Sequence, residues 1–318
     1  MSEPSILLKV EGLRVAYGKR AQAEAVTDVS FSVTEGEVLG LIGESGSGKT
    51  ATGMAILGLL PDYATCSAKV LSFKGRDLSN FVKSEFDPLR GRELAMIFQD
   101  PAGSFNPVKS IGWHLRGVFR NNAECDGSDA ALEQLLVDVG IRDPKRVLSA
   151  YPHQLSGGML QRALITMVFA MRPSIIVADE PTTNLDNIVE AQILQLIRKK
   201  QKKLGLSLIF VTHDLTIAHS ICDRIAVLYA GEIVEIGKAE DIIRHPKHPY
   251  TAALLKTALS LDRRDDVLFE IRGEPGKRGR GCRFSSRCPE VIPACEAGHP
   301  ELVNLAPGTA VRCIRHDK

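Results

Sequence analysis

The octapeptide GESGSGKT, Gly43 to Thr50, constrains this chain more than any other stretch. It fits G-x-x-x-x-G-K-[ST], and it sits between an apolar run, EVLGLI, and a helix-forming run, the setting that gives the pattern meaning. Its glycines, Gly43, Gly46 and Gly48, let backbone N–H groups turn inward around phosphates, with Glu44, Ser45 and Ser47 between them and Ala51 just after the stretch. Lys49 is spaced to reach β and γ oxygens, and the Thr50 hydroxyl to ligate Mg²⁺. The competing reading is an ordinary glycine turn.

Short β-rich runs alternate with helical patterns through the first 260 residues, which implies an α/β layer architecture with a largely parallel sheet. Four runs matter: Glu37 to Ile42, Glu93 to Phe98, Ser174 to Asp179 and Ser207 to Thr212. Ligands of such sheets bind at the carboxyl ends of the strands. There stand Gln99, Asp179 with Glu180, and His213. Asp179 can hold a Mg²⁺ shell, Glu180 can polarise an attacking water as general base, and Gln99 can reach both. The alternatives are that DEPTTNLD simply opens a helix with an N-cap, and that a histidine at a strand end is structural.

A second glycine loop, HQLSGGMLQRA (His153 to Ala163), resembles the first but has no lysine; read alone it is a capped helix start. Between Pro107 and Tyr151 the pattern turns helical, and DAALEQLLVDVG ends at a glycine stop, so a helical subdomain of about 107–160 is expected inside a domain of 1–260. RKKQKK, Arg198 to Lys203, reads as a solvated helix end. From Leu261 a charged, glycine-rich linker leads into a cysteine-containing extension, 261–318.

A formal charge of +2 over 318 residues argues against a nucleic-acid partner. No run approaches the roughly 18 to 20 apolar residues of a membrane span, so the chain is expected in the cytosol. Seven cysteines then suggest thiols or metal ligands over disulfides. Cys282, Cys288, Cys295 and Cys313, spaced C-x₅-C-x₆-C-x₁₇-C, suit zinc, an iron–sulfur cluster or reduced buried thiols; Cys66, Cys125 and Cys222 are scattered and read as inert.

Taken in order, Tyr17, Gly43 to Thr50, Gln99, Leu155 to Met159, Asp179, Glu180, Asp186 and His213 resemble the motifs of ATP-binding subunits of ABC transporters, over roughly residues 5 to 260. The resemblance implies a P-loop NTPase fold, an ABC-type nucleotide-binding domain with an inserted helical subdomain and, here, a C-terminal cysteine-containing extension. It also implies two such domains sandwiching two ATP molecules head to tail. In that arrangement Tyr17 stacks on adenine, and Ser156, Gly157 and Gly158 serve a γ-phosphate held by the partner, which supplies the missing lysine.

HPKHPYTAALL (His245 to Leu255), GCRFSSRCPEVIPAC (Gly281 to Cys295) and FQDPAGSFNPVKSIG resemble the oligopeptide, dipeptide and nickel importer branch. That branch implies a second ABC ATPase subunit, as a hetero-dimer, with two transmembrane permeases and an extracytoplasmic solute-binding protein. The chain would then sit peripherally on the cytoplasmic face of the inner membrane. Some members carry a 4Fe–4S cluster in the tail, which makes it the leading ligand for the four cysteines. Two departures, Leu160 for a usual arginine and Asn184 for a small residue, leave the equivalence of the two ATP sites open. Alternatives are a nickel or other small-solute importer, a soluble ABC ATPase, and a module that holds ATP without turning it over.

Overall fold

The computed structural model describes residues 5–18, 23–80, 82–120, 127–183, 185–262, 271, 273 and 281–316. Cys125, Asn184 and most of the expected linker lie outside these residues. The chain divides into two compact units, Met1–Ser84 with Ile209–Lys318, and Glu85–Leu208.

In the first unit, two twelve-residue strands, Ile6–Tyr17 and Ala23–Thr34, pair antiparallel from Ile6 opposite Thr34 to Tyr17 opposite Ala23. Ala64–Ser67 and Val70–Phe73 add to the first of them. Val38–Ile42 is buried at every position and pairs parallel with Arg224–Tyr229. A continuous apolar run covered on both faces is what a central parallel strand requires. Arg224–Tyr229 turns back antiparallel into Glu232–Lys238.

The extension is no free appendage in its described part. Its hairpin, Val303–Ala306 with Thr309–Val311, pairs antiparallel with Glu232–Lys238, placing Val311 opposite Glu235. Phe284, Cys295, Val311 and Cys313 are buried. Arg312, also buried, donates to the carbonyls of Ile233 and Pro300 and pairs with Asp28 at 2.8 Å, so its charge is compensated.

The second unit holds two parallel strands, Leu94–Ile97 and Ile175–Asp179, in register from Leu94 opposite Ile175 to Ile97 opposite Ala178. Its helices include Ile111–Arg120, Asp129–Val137, Pro144–Ser149, Gly157–Ala170 and Asn187–Leu204. Their starts follow capping chemistry. Ser128 accepts from Ala131 N–H, Asp143 from Arg146 N–H with proline next in sequence, and Asp186 from the N–H groups of Ile188 and Val189. The last of these helices ends at Gly205, φ +66°, with Lys202 and Lys203 in its final turn, where cations suit the dipole. Lys200 pairs with Asp138 at 3.2 Å.

All four expected strands are present, as Val38–Ile42, Leu94–Ile97, Ile175–Asp179 and Ser207–Thr212. The helices expected after Pro107 are present too, within a compact unit wider than 107–160 that takes in the strands leading to Gln99 and Asp179. Among the described residues no helix is long and apolar enough to cross a membrane.

Candidate functional site

The loop from Gly43 to Thr50 leaves a buried strand and enters the helix Lys49–Ile56. Gly43, Gly46 and Gly48 hold φ of +157°, +80° and +104°. A Cβ at Gly43 would lie 2.1 Å from the Leu228 carbonyl oxygen, and one at Gly48 would lie 2.7 Å from that of Ala25. Both positions therefore exclude side chains. Behind the loop, Gly231 N–H donates to Ser47 O at 3.0 Å.

Gly48 caps the helix without any side-chain hydrogen bond, and the positive end of the helix dipole lies at the loop. Lys49 is 5% exposed, and its Nζ donates to the carbonyls of Gly43 at 2.7 Å and Glu44 at 3.0 Å, which holds the ammonium across the loop. Ser47 Oγ is buried with no hydrogen-bond partner among the described residues. A helix N-terminus, one ammonium, an exposed Thr50 and a hollow that two Cβ atoms would fill suit a polyphosphate with its Mg²⁺.

Also in the first unit, Tyr17 is half-buried at the end of its strand, its ring 6.1 Å from that of Tyr63 at 49°. Burial raises the Tyr17 phenol, with a smaller contribution from Tyr63. His213 is exposed just past Ser207–Thr212. Asp214 fixes the backbone there by accepting from Thr216 N–H at 2.7 Å and Ile217 N–H at 3.1 Å.

In the second unit, Asp179 is buried at the end of a wholly buried strand, and Glu180 follows with φ +44°. Thr183 Oγ1 donates to Glu180 Oε2 at 2.9 Å, and Gln99 Nε2 donates to the same oxygen at 3.4 Å. Two side chains thus converge on one carboxylate oxygen. Ser156 caps the helix Gly157–Ala170, accepting from Met159 N–H at 3.4 Å, and Ser156 and Gly157 stay exposed. Both readings of that loop hold together, since a capped start still presents N–H groups to an outside anion. Leu160 is buried, so the departure from arginine places an apolar side chain inward. Asp186 acts as a helix cap.

The tail cysteines lie in the described part of the extension. Cys295 and Cys313 are buried, Cys282 and Cys288 partly so, and none of the four is in a disulfide. Cys282 N–H donates to Cys295 O at 2.7 Å. Burial, with a contribution from Cys295 and Cys313 nearby, pushes the thiols of Cys282 and Cys288 up to about 11. Among the described residues, however, no group of three or more His, Cys, Asp or Glu is arranged to hold a metal ion. The 4Fe–4S or zinc set expected from the resemblance is not formed as a ligand group. A metal would first have to displace protons from thiols that hold them tightly.

Two contacts escaped the sequence reading altogether. Tyr250 hydroxyl accepts from Glu44 N–H at 3.0 Å, and Arg287 pairs with the Glu44 carboxylate. The only sequence signal was that both lie in stretches that had served as branch markers, HPKHPY and GCRFSSRC.

Comparison with known proteins matches residues 26–183 to the ABC transporter family and residues 234–295 to the oligopeptide/dipeptide transporter C-terminal region. The chain is 42% identical over 314 residues to the dipeptide transport ATP-binding protein of Haemophilus influenzae, covering 96% of this chain and 94% of that one. It is 41% identical over 315 residues to the Escherichia coli protein of the same description, covering 96% of each. Among solved structures, a dimeric ATP-binding cassette in a post-hydrolysis state with ADP and Pi shares the fold, with a TM-score of 0.62 at 24% identity, over 73% of this chain and 99% of that one.

Proposed function

Because this chain belongs to the ABC transporter family of ATP-binding, ATP-hydrolysing subunits, we propose that it drives a peptide importer, coupling ATP hydrolysis to uptake of dipeptides or oligopeptides. The observation that carries the reading is the pair of unlike loops: a complete phosphate cradle at Gly43–Thr50 and an exposed, lysine-free helix start at Ser156–Gly158. The second loop is chemically useful only against an anion anchored elsewhere. The peptide cargo rests on the matched C-terminal region and on the descriptions of the relatives.

In this reading the loop N–H groups and Lys49 bind the β and γ phosphates, and Tyr17 stacks against the adenine. Thr50, Asp179 and Gln99 would hold Mg²⁺, which would supply positive charge against the phosphate oxygens. Glu180, its carboxylate oriented by Thr183, accepts a proton from the attacking water, and His213 contacts the γ-phosphate. Ser156, Gly157 and Gly158 serve the nucleotide of a second subunit. ATP that contacts both subunits only in the closed dimer shifts the equilibrium toward closure, and hydrolysis releases it.

The partners proposed are a sister ATPase, two transmembrane permeases and an extracytoplasmic solute-binding protein, with this chain docked peripherally on the cytoplasmic face of the membrane. For the tail the proposal is a soft-metal site, a 4Fe–4S cluster first and zinc second. Its support is that Cys282 and Cys288 both lie close enough to Cys295 and Cys313 to feel them electrostatically, which gathers four soft sulfur donors in one segment. Metal analysis of anaerobically purified protein tests it, and metal-free protein leaves the four as buried thiols.

The functional test is to purify Glu180→Gln from its native cell in mild detergent with ATP and Mg²⁺, then identify what accompanies it by mass spectrometry. Two permeases and a second ATPase support an importer. Soluble partners alone overturn it.

A further inference from the structure

Within the first unit the C-terminal segment reaches the phosphate loop directly. Phe284 is fully buried among three aromatic rings, its centroid 5.2 Å from Tyr229, 5.4 Å from Tyr250 and 5.8 Å from His248. Tyr250 in turn holds the Glu44 N–H through its hydroxyl. Three residues after Phe284, the Arg287 side chain is only 4% exposed and meets Glu44 with a two-pronged ion pair. One guanidinium nitrogen donates to Glu44 Oε2 at 2.8 Å and the other to Oε1 at 3.0 Å. The same group donates to Ile271 O at 2.7 Å and to the Tyr229 hydroxyl at 3.3 Å, so the fork is held from its own side. Arg283 secures the neighbouring turn, donating to Ala230 O beside Gly231, whose N–H holds Ser47 O.

We propose that Arg287 is a positioning residue for nucleotide binding, through which the docked segment 281–288 holds Gly43–Thr50 in its phosphate-accepting form. The inference rests on the reading of that loop as the nucleotide site. Two physical effects carry it. A loop with three positive-φ glycines has much freedom to lose, and clamping Glu44 at both its N–H and its carboxylate removes part of that freedom before the ligand arrives. Glu44 is also a carboxylate on a loop built for anions. Arg287 cancels a charge that would otherwise repel the polyphosphate.

The second effect gives the proposal a signature that mere structural support lacks. Removing Arg287 leaves the Glu44 charge uncompensated, so removing that charge as well should recover affinity. The experiment is a titration of the full-length chain with a fluorescent ATP analogue, comparing wild type, Arg287→Ala, Arg287→Ala with Glu44→Gln, and Lys49→Ala. We expect Arg287→Ala to bind about tenfold more weakly, within the usual range for coupled sites, and the double variant to regain most of that loss. Should Arg287→Ala fold poorly, Arg287→Lys keeps the charge without the fork, and a loss of about threefold is expected.

Unchanged affinity in Arg287→Ala, or a double variant no better than the single one, overturns the proposal while a weakened Lys49→Ala leaves the nucleotide site standing. Unchanged affinity in Lys49→Ala overturns both. Reciprocity supplies a second readout: nucleotide should slow hydrogen exchange across 281–288 in the wild type and not in Glu44→Gln. Equal slowing in both also overturns it.

Discussion

The two glycine loops share a composition and differ in how they are held. Gly43–Thr50 is gripped from all sides: Leu228 O and Ala25 O fill the space where Cβ atoms would be, Gly231 N–H holds its back, and Tyr250 and Arg287 hold Glu44. Ser156–Gly158 has one capping bond, from Met159 N–H to Ser156, with Leu185 and Val189 beside its glycines, and Ser156 and Gly157 are exposed. Under the proposed function the difference makes sense: a loop that binds its ligand unaided gains from being made rigid beforehand, whereas one that completes a site in a partner can stay open to solvent.

That contrast can be broken most severely at the chemistry. Glu180→Gln should slow hydrolysis in the assembled complex by roughly 10²-fold or more while leaving nucleotide affinity intact, as loss of a general base predicts. Unaltered turnover would remove Glu180 from its assignment. Next come the glycines. Gly43→Ala should lower unfolding stability by roughly 3 kcal/mol and abolish nucleotide binding, because the new methyl meets backbone that cannot move away. Gly157→Ala, whose nearest neighbour would be Leu185 at 3.9 Å, should leave both untouched and reduce turnover only in the assembled complex. Equal losses of stability in the two variants would erase the distinction between the loops.

Acid separates them more gently. His248 is held down to about 3 by burial, and its Nδ1 accepts from Tyr250 N–H, so the imidazole is neutral in the folded chain. Between the ordinary value of 6.5 and about 3 the unfolded chain binds the extra proton. The contribution is therefore complete above pH 6.5 and lost as pH falls, by up to about 1.4 kcal/mol per unit. Glu235, whose carboxyl burial pushes up, works the other way, contributing less as pH rises through its raised value. Urea unfolding between pH 7 and pH 5, wild type against His248→Asn, isolates the histidine; parallel curves would show that it does not matter. The smallest effect belongs to the second loop, where Ser156→Ala should cost about 1 kcal/mol in the same assay through its lost cap.

What could be read in advance follows the same division. The first loop was legible because its spacing admits few alternatives. The strands leading to Gln99, Asp179 and His213 were legible as apolar runs stopped by polar residues, with ends within a residue or so of those observed. The strand Ile6–Tyr17 was not, since register shifts along it break the alternation that would mark a strand, whereas VSFSVT in Ala23–Thr34 does alternate and was passed over. The Arg287 fork was invisible because its partner lies 243 positions away, and no local pattern records so distant a contact. The cysteine spacing suggested a ligand set, but spacing constrains chain distance and not the direction in which a thiol points.

Glu180 has one more consequence. A glutamate at φ +44° occupies backbone space that glycine fills at less cost, by roughly 1 kcal/mol, and here the side chain is tethered by Thr183. Glu180→Gly should thus gain in heat resistance what it loses in turnover. Laboratory evolution that selected this protein for thermal survival alone would drift toward an inert one, so any such campaign must score turnover together with survival.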